Sequence, residues 1–156
     1  MITRRLLLCS LLGASSALAK LPSPRNKVRC DGVGPLRIGM AEPALRKILG
    51  PALRIETHDS GVYATWGDPH LGLVLVEGKL ARIEVSGGRW RTVGGARVGS
   101  LESEIRDIFK KRIESRPHTF DPRGHVLVVG SKLYALAFET DGDIVTALRA
   151  GLRAAV

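Results

Sequence analysis

The side chains best placed to do chemistry in this sequence are basic, with aromatics among them: Arg89-Trp90-Arg91, then Arg82, Arg112, Arg116, His118, Arg123 and His125. The arginine guanidinium is a planar fork of donors that fits carboxylate and phosphate. Tryptophan and arginine anchor interfaces because they bury large area and bond directionally. The chemistry these residues offer is recognition. We take Arg82, Trp90, Arg112, Arg116, His118 and Arg123 as candidate binding residues. The plain alternative is a solvated face with Trp90 tucked over its loop.

The search for catalysis is mostly negative. Ser100 and Ser131 each follow a glycine, but neither stretch has the second glycine of a nucleophile elbow, so they read as a helix cap and a turn. Gly32-Val33-Gly34 and Gly94-Gly95 lack the strand-then-helix spacing and the Gly-Lys-Ser/Thr of a phosphate loop. His58, Asp59, Asp68 and His70 can hold a metal only if a hairpin brings them together, and exposed loop residues are the commoner outcome. Glu102 and Glu104, two apart on a helix, cannot face each other as an acid/base pair. No catalytic residue, metal or cofactor is expected. A hydrolase stays open as a second alternative, and needs ionisable residues that converge in a concave pocket.

At the N-terminus Arg4 and Arg5 precede an apolar run over 6–12, and Ala17-Leu18-Ala19 offers a small-residue cleavage site. Residues 1–19 are expected to be a signal peptide, which places the protein in the periplasm or outside the cell. Thr3-Arg4-Arg5-Leu6 also resembles a twin-arginine signal, the alternative export route. No later run reaches the about 18 apolar residues of a membrane span, so no transmembrane segment is expected in the mature chain. The formal charge of +9 falls to +7 without Arg4 and Arg5. A basic exported domain is drawn to an acidic protein or to anionic envelope polymer, and export argues against nucleic acid. Removing the signal leaves Cys30 as the lone thiol, buried or open to pairing as a dimer.

The elements that must position these residues come as a duplication. Arg37-Ile38-Gly39 and Glu42, Leu45, Arg46 and Ile48 recur as Arg97-Val98-Gly99 and Glu102, Ile105, Arg106 and Ile108, at a constant offset of 60. After an extended leader over 20–30, the first αβ repeat spans 31–88, with a strand at 35–38, a helix over 41–49 and strands over 53–57, 62–66, 71–76 and 80–86. A Gly/Arg/Trp linker over 89–95 leads to the second repeat, 96–156. That repeat has a strand at 96–98, a helix over 101–111 capped by Ser100, and strands over 113–118, 125–129, 133–139 and 144–149. Glu77-Gly78-Lys79-Leu80 is mirrored by Asp141-Gly142-Asp143-Ile144. The expected class is α+β, two repeats of helix plus antiparallel meander with the helices on one sheet face. The other face is then open. Ala81, Ile83 and Val85 point to the helices while Arg82 and Glu84 point away, and Arg112, Glu114, Arg116 and His118 share the open side as a mainly basic stripe.

Leu36-Arg37-Ile38-Gly39-Met40, followed by a helix ending in Leu49-Gly50-Pro51, resembles the helix opening of the SmpA/OmlA-like superfamily. That superfamily includes beta-lactamase inhibitory protein and the small lipoprotein of the outer-membrane barrel-assembly machinery. Residues 31–151 also resemble a group of uncharacterised exported proteobacterial proteins, through Gly34 to Met40 and Phe138-Glu139-Thr140-Asp141-Gly142. Members of that group often carry cysteines near the position of Gly61 and in a C-terminal extension. This chain has neither, which implies a lost disulfide or a shortened end. The resemblance implies protein or envelope binding without catalysis, and with the open sheet face read above the expectation is a non-enzymatic periplasmic binding module that recognises a protein partner through that face. The alternative is a binder of anionic lipopolysaccharide or peptidoglycan.

Overall fold

The computed structural model describes residues 21–156 apart from Ser60. The expected signal over 1–19 lies outside the described residues. Three short strands, β1 (Lys27–Arg29), β2 (Gly32–Val33) and β3 (Leu36–Arg37), precede helix α1 (Glu42–Leu49). Then come β4 (Arg54–His58), β5 (Gly61–Thr65), β6 (Leu71–Val76), β7 (Lys79–Val85) and the short β8 (Arg91–Thr92). Helix α2 (Glu102–Phe109) opens the remainder, followed by β9 (Glu114–Pro117), β10 (His125–Gly130), β11 (Tyr134–Thr140) and β12 (Val145–Leu152).

The class is α+β: two helices with a large antiparallel sheet in the order β4-β5-β6-β7-β12-β11-β10-β9, and a four-stranded sheet β3-β2-β1-β8. Strand alternation decides which side is core. Leu71, Leu73 and Leu75 of β6, Ile83 and Val85 of β7, and Leu136 and Phe138 of β11 turn to one side. They meet Leu45 and Leu49 of α1, Ile105 and Phe109 of α2, and Val28, Val33 and Leu36 of the small sheet. The Phe109 and Phe138 rings pack at 5.6 Å. Burying a side chain of this size stabilises by about 1.5–3 kcal/mol.

Both helices start from the same turn. Gly39 (φ 91) and Gly99 (φ 88) adopt a conformation that disfavours any side chain. Their N–H groups donate to Leu80 O at 2.7 Å and Val145 O at 2.8 Å. The Glu42 and Glu102 N–H groups donate to Gly78 O and Asp143 O. These bonds tie each helix start to a hairpin turn at the far end of the chain segment. They also place Lys79 with Ile144 and Leu80 with Val145, one residue along from the match read off Glu77-Gly78-Lys79-Leu80.

Three expectations are corrected. The leader is not wholly extended chain outside the fold, because Lys27–Arg29 is a strand and pairs in parallel with β8. Residues 96–98 form no strand, and Arg91–Thr92 takes that place. Ser100 does not cap α2: Leu101 is the cap residue, and its N–H donates to Glu104 Oε2 at 3.0 Å.

Candidate functional site

The sheet face away from the helices carries the charged rows expected of it, but they are not mainly basic. Arg116 of β9 bonds Glu114 Oε1 at 2.8 and 2.6 Å, and Arg153 reaches the other oxygen of the same carboxylate. The Arg116 hydrogen bond is the main cause holding the Glu114 carboxyl below the usual range, with the Arg153 charge adding to it. Across the sheet centre Arg149 meets Glu139 at 2.7 Å, and Arg82 meets Glu84 at 2.7 Å and donates to Ala155 O at 2.5 Å. Each of these four arginines has a carboxylate. The expected basic stripe is an ion-pair lattice, because i, i+2 residues on a strand share a face and the sequence alternates their signs.

Nor is that face wholly open. Residues 153–156 fold back across it, with Val156 packed against Val128, Ala135 and Ala137. What remains is a concavity of about 260 Å³ at one end, lined by Arg116, His118, Phe120, Glu139, Arg149 and Val156 among others. His118 Nδ1 accepts the N–H groups of Phe120 at 3.2 Å and Asp121 at 3.0 Å. Two donors on one nitrogen require it to be the unprotonated one, so the proton sits on Nε2, which faces Glu139 Oε2 at 4.0 Å. The bonded loop lifts Phe120 to 90 % exposure at the rim.

The candidate residues separate on this geometry. Arg116 and His118 line the concavity, and Arg123 is exposed on the same 118–124 loop. Arg82 sits on the same face but is bound to Glu84 and Ala155. Arg112 is not on β9: it ends a 3₁₀ turn, with its guanidinium 5.6 Å over the Phe109 ring. Trp90 is no surface anchor. It is fully buried, because Gly87 and Gly88 let the loop close against His70 and Val98 and drive the indole into the core. Among the described residues no cluster could hold a metal, and His58 lies beside Glu56 while Asp68 bonds the His70 N–H.

Sequence reasoning missed Phe120, although a lone aromatic in the polar loop Pro117-His118-Thr119-Phe120-Asp121-Pro122 is a legible signal. It also missed a second constellation at the start of α2. Glu102, 7 % exposed, accepts bonds from Thr140 Oγ1 at 2.5 Å, Arg106 at 2.9 and 2.6 Å, and meets His125 Nδ1 at 2.9 Å. Burial pushes its pKa up, but the bonds from Thr140, His125 and Arg106 outweigh that and hold it below the ordinary carboxylate value. The Thr140 hydroxyl gives its proton to Glu102, so it is not poised as a nucleophile towards His125. The cluster pins α2 to β10 and β11.

No protein-family profile matches this chain, and no curated protein matches it. Among solved structures it is similar to the uncharacterized protein yfeY from Escherichia coli, at 18% identity and TM-score 0.53, over 80% of this chain and 99% of that one. That likeness is one of fold. A cysteine-rich secretory protein from Staphylococcus aureus aligns at 14% identity and TM-score 0.45, over 88% of this chain and 50% of that chain.

Proposed function

We propose that this protein is a non-enzymatic periplasmic binding module, exported by its signal peptide, that recognises a protein partner at the end of the sheet face where Phe120 stands. The observation that carries the reading is Phe120 itself, 90 % exposed beside a concavity with charged walls. An exposed aromatic next to paired arginines and glutamates is the composition of an interface centre with a polar rim. The net positive charge favours an acidic partner. The two chain halves are read as repeats of one helix-plus-meander unit, a reading supported by the matching turn bonds of Gly39 and Gly99. Membership of the superfamily of beta-lactamase inhibitory protein and the barrel-assembly lipoprotein belongs to the same proposal.

A pull-down from envelope extract tests it. Wild type should retain one protein in stoichiometric amount, and Phe120→Ala and Arg116→Glu should each lose it while keeping the wild-type melting temperature. Retention unchanged in both variants would remove this face from the account.

A second reading, binding to lipopolysaccharide or peptidoglycan, is favoured by one observation. Lys110, Lys111 and Arg112 are exposed together, with no ion pair to a carboxylate among the described residues. Salt-sensitive retention of polymer alone, lost on changing these three to glutamine, would favour it over a protein partner.

A further inference from the structure

The eight-stranded sheet ends in two edges, β4 and β9, and they are not equally closed. An edge strand presents unpaired N–H and C=O groups that template further pairing unless proline or charge blunts them. On β9 the His118 N–H donates inward to Gly124 O. By alternation Glu114 and Arg116 bond towards β10, while Ser115 and Pro117 turn their backbone outward. Pro117 has no N–H to offer there. The side chains Glu114, Arg116 and Arg153 are bound to one another.

On β4 the same alternation leaves the edge open. His58 pairs with Gly61 as His118 does with Gly124, so Ile55 and Thr57 turn outward. Thr57 stands 60 residues before Pro117 and keeps its N–H. Every β4 residue but half-buried Ile55 is exposed. Glu56 meets only His58, at 3.4 Å, and Arg54 has no ion pair among the described residues.

We propose that β4 pairs antiparallel with β4 of a second copy of this chain, about a two-fold axis at Ile55, joining the two large sheets edge to edge. In that register Ile55 exchanges N–H and C=O with its counterpart, and each Thr57 N–H points to the Leu53 carbonyl of the other copy. Arg54 then lies opposite Glu56, and Glu56 opposite Arg54, so the two-fold makes both ion pairs at once. Moving the two-fold axis one residue along, to Glu56, sets Glu56 against Glu56, which like-charge repulsion disfavours. The sequence of β4 is thus complementary to itself in one register. The contact is isologous and closes as a dimer. It lies at the opposite end of the sheet from Phe120 and does not depend on the partner proposed above.

Sedimentation of the purified protein over a range of concentrations tests it. Wild type should show a monomer–dimer equilibrium. Thr57→Pro copies the proline that β9 already carries in the same fold, and should weaken the dimer by about tenfold or more. Arg54→Glu and Glu56→Arg should each weaken it, and the double swap should restore it, because a two-fold antiparallel pair regains both ion pairs. The swap series serves should Thr57→Pro lower the melting temperature. A wild type that stays monomeric, a dimer indifferent to Thr57→Pro, a double swap no better than its singles, or a dimer lost in Cys30→Ser would each overturn the proposal.

Discussion

Glu42 and Glu102 occupy the same place in the two halves of the chain and do different things there. Each is the first residue of an eight-residue helix, each precedes an arginine by four, and each N–H donates to a hairpin carbonyl. Glu42 stays at the surface with Arg46, at 2.7 Å. Glu102 turns inward and is buried. The cause lies across the sheet. Strand pairing sets Val62 and Leu75 in the first half where the second has His125 and Thr140. An apolar pair offers a carboxylate nothing and would charge it the full cost of desolvation. A hydroxyl and an imidazole satisfy it. One polar pair therefore converts a surface glutamate into a pin between helix and sheet, on the half that carries Phe120.

The most costly substitution in this core is expected at neither glutamate. Trp90→Ala should cost about 3–5 kcal/mol, as for other fully buried aromatics. Chemical denaturation would show it, and a loss of partner binding without a loss of stability would return Trp90 to the surface role the sequence suggested. Next is the contrast itself. Glu102→Ala should cost about 2–4 kcal/mol, because it leaves Thr140 and His125 without their acceptor. Glu42→Ala, which breaks only an exposed i, i+4 pair, should cost under about 0.5 kcal/mol. Equal costs would end the distinction.

The same pin predicts a pH dependence. The folded Glu102 carboxyl lies below its ordinary value of 4.5. Its contribution is then fully present above the unfolded value and is lost as pH falls through the folded one. The stability gap between wild type and Glu102→Gln should narrow as pH drops below about 4. A gap that widens on acidification would contradict the assignment. Among the smaller effects, Thr140→Val should cost about 1–2 kcal/mol. At the helix ends the halves differ again. Gly50 (φ 67) closes α1, whereas Lys110 takes φ 49 at the end of α2. Lys110→Gly should stabilise by about 1 kcal/mol, and no gain in melting temperature would show that the second half tolerates the conformation without strain.

Much of the fold was legible because the same punctuation occurs twice along the sequence. Gly39 and Gly99, the apolar stripe of Leu45 and Ile105, and the hairpin glycines state the helix and strand order in the sequence itself. The site was less so. The Glu102 cluster joins residues 23 and 38 positions apart, which no local spacing reveals. Arg82 with Glu84 and Arg116 with Glu114 were visible as strand neighbours, yet their mutual neutralisation needed side-chain geometry. Trp90 between two arginines reads as an anchor by type, and only the glycine-permitted closure of its loop puts it in the core. The fold of residues 153–156 across the open face leaves no periodic signal at all.

Photo-cross-linking in living cells distinguishes the two ends of the sheet, with a benzophenone amino acid placed at position 120 and, in a parallel strain, at position 58. A discrete adduct of this protein with one other envelope protein is expected from position 120, and an adduct with itself from position 58. No adduct at 120, or the same adducts from both ends of the sheet, would contradict a binding face centred on Phe120.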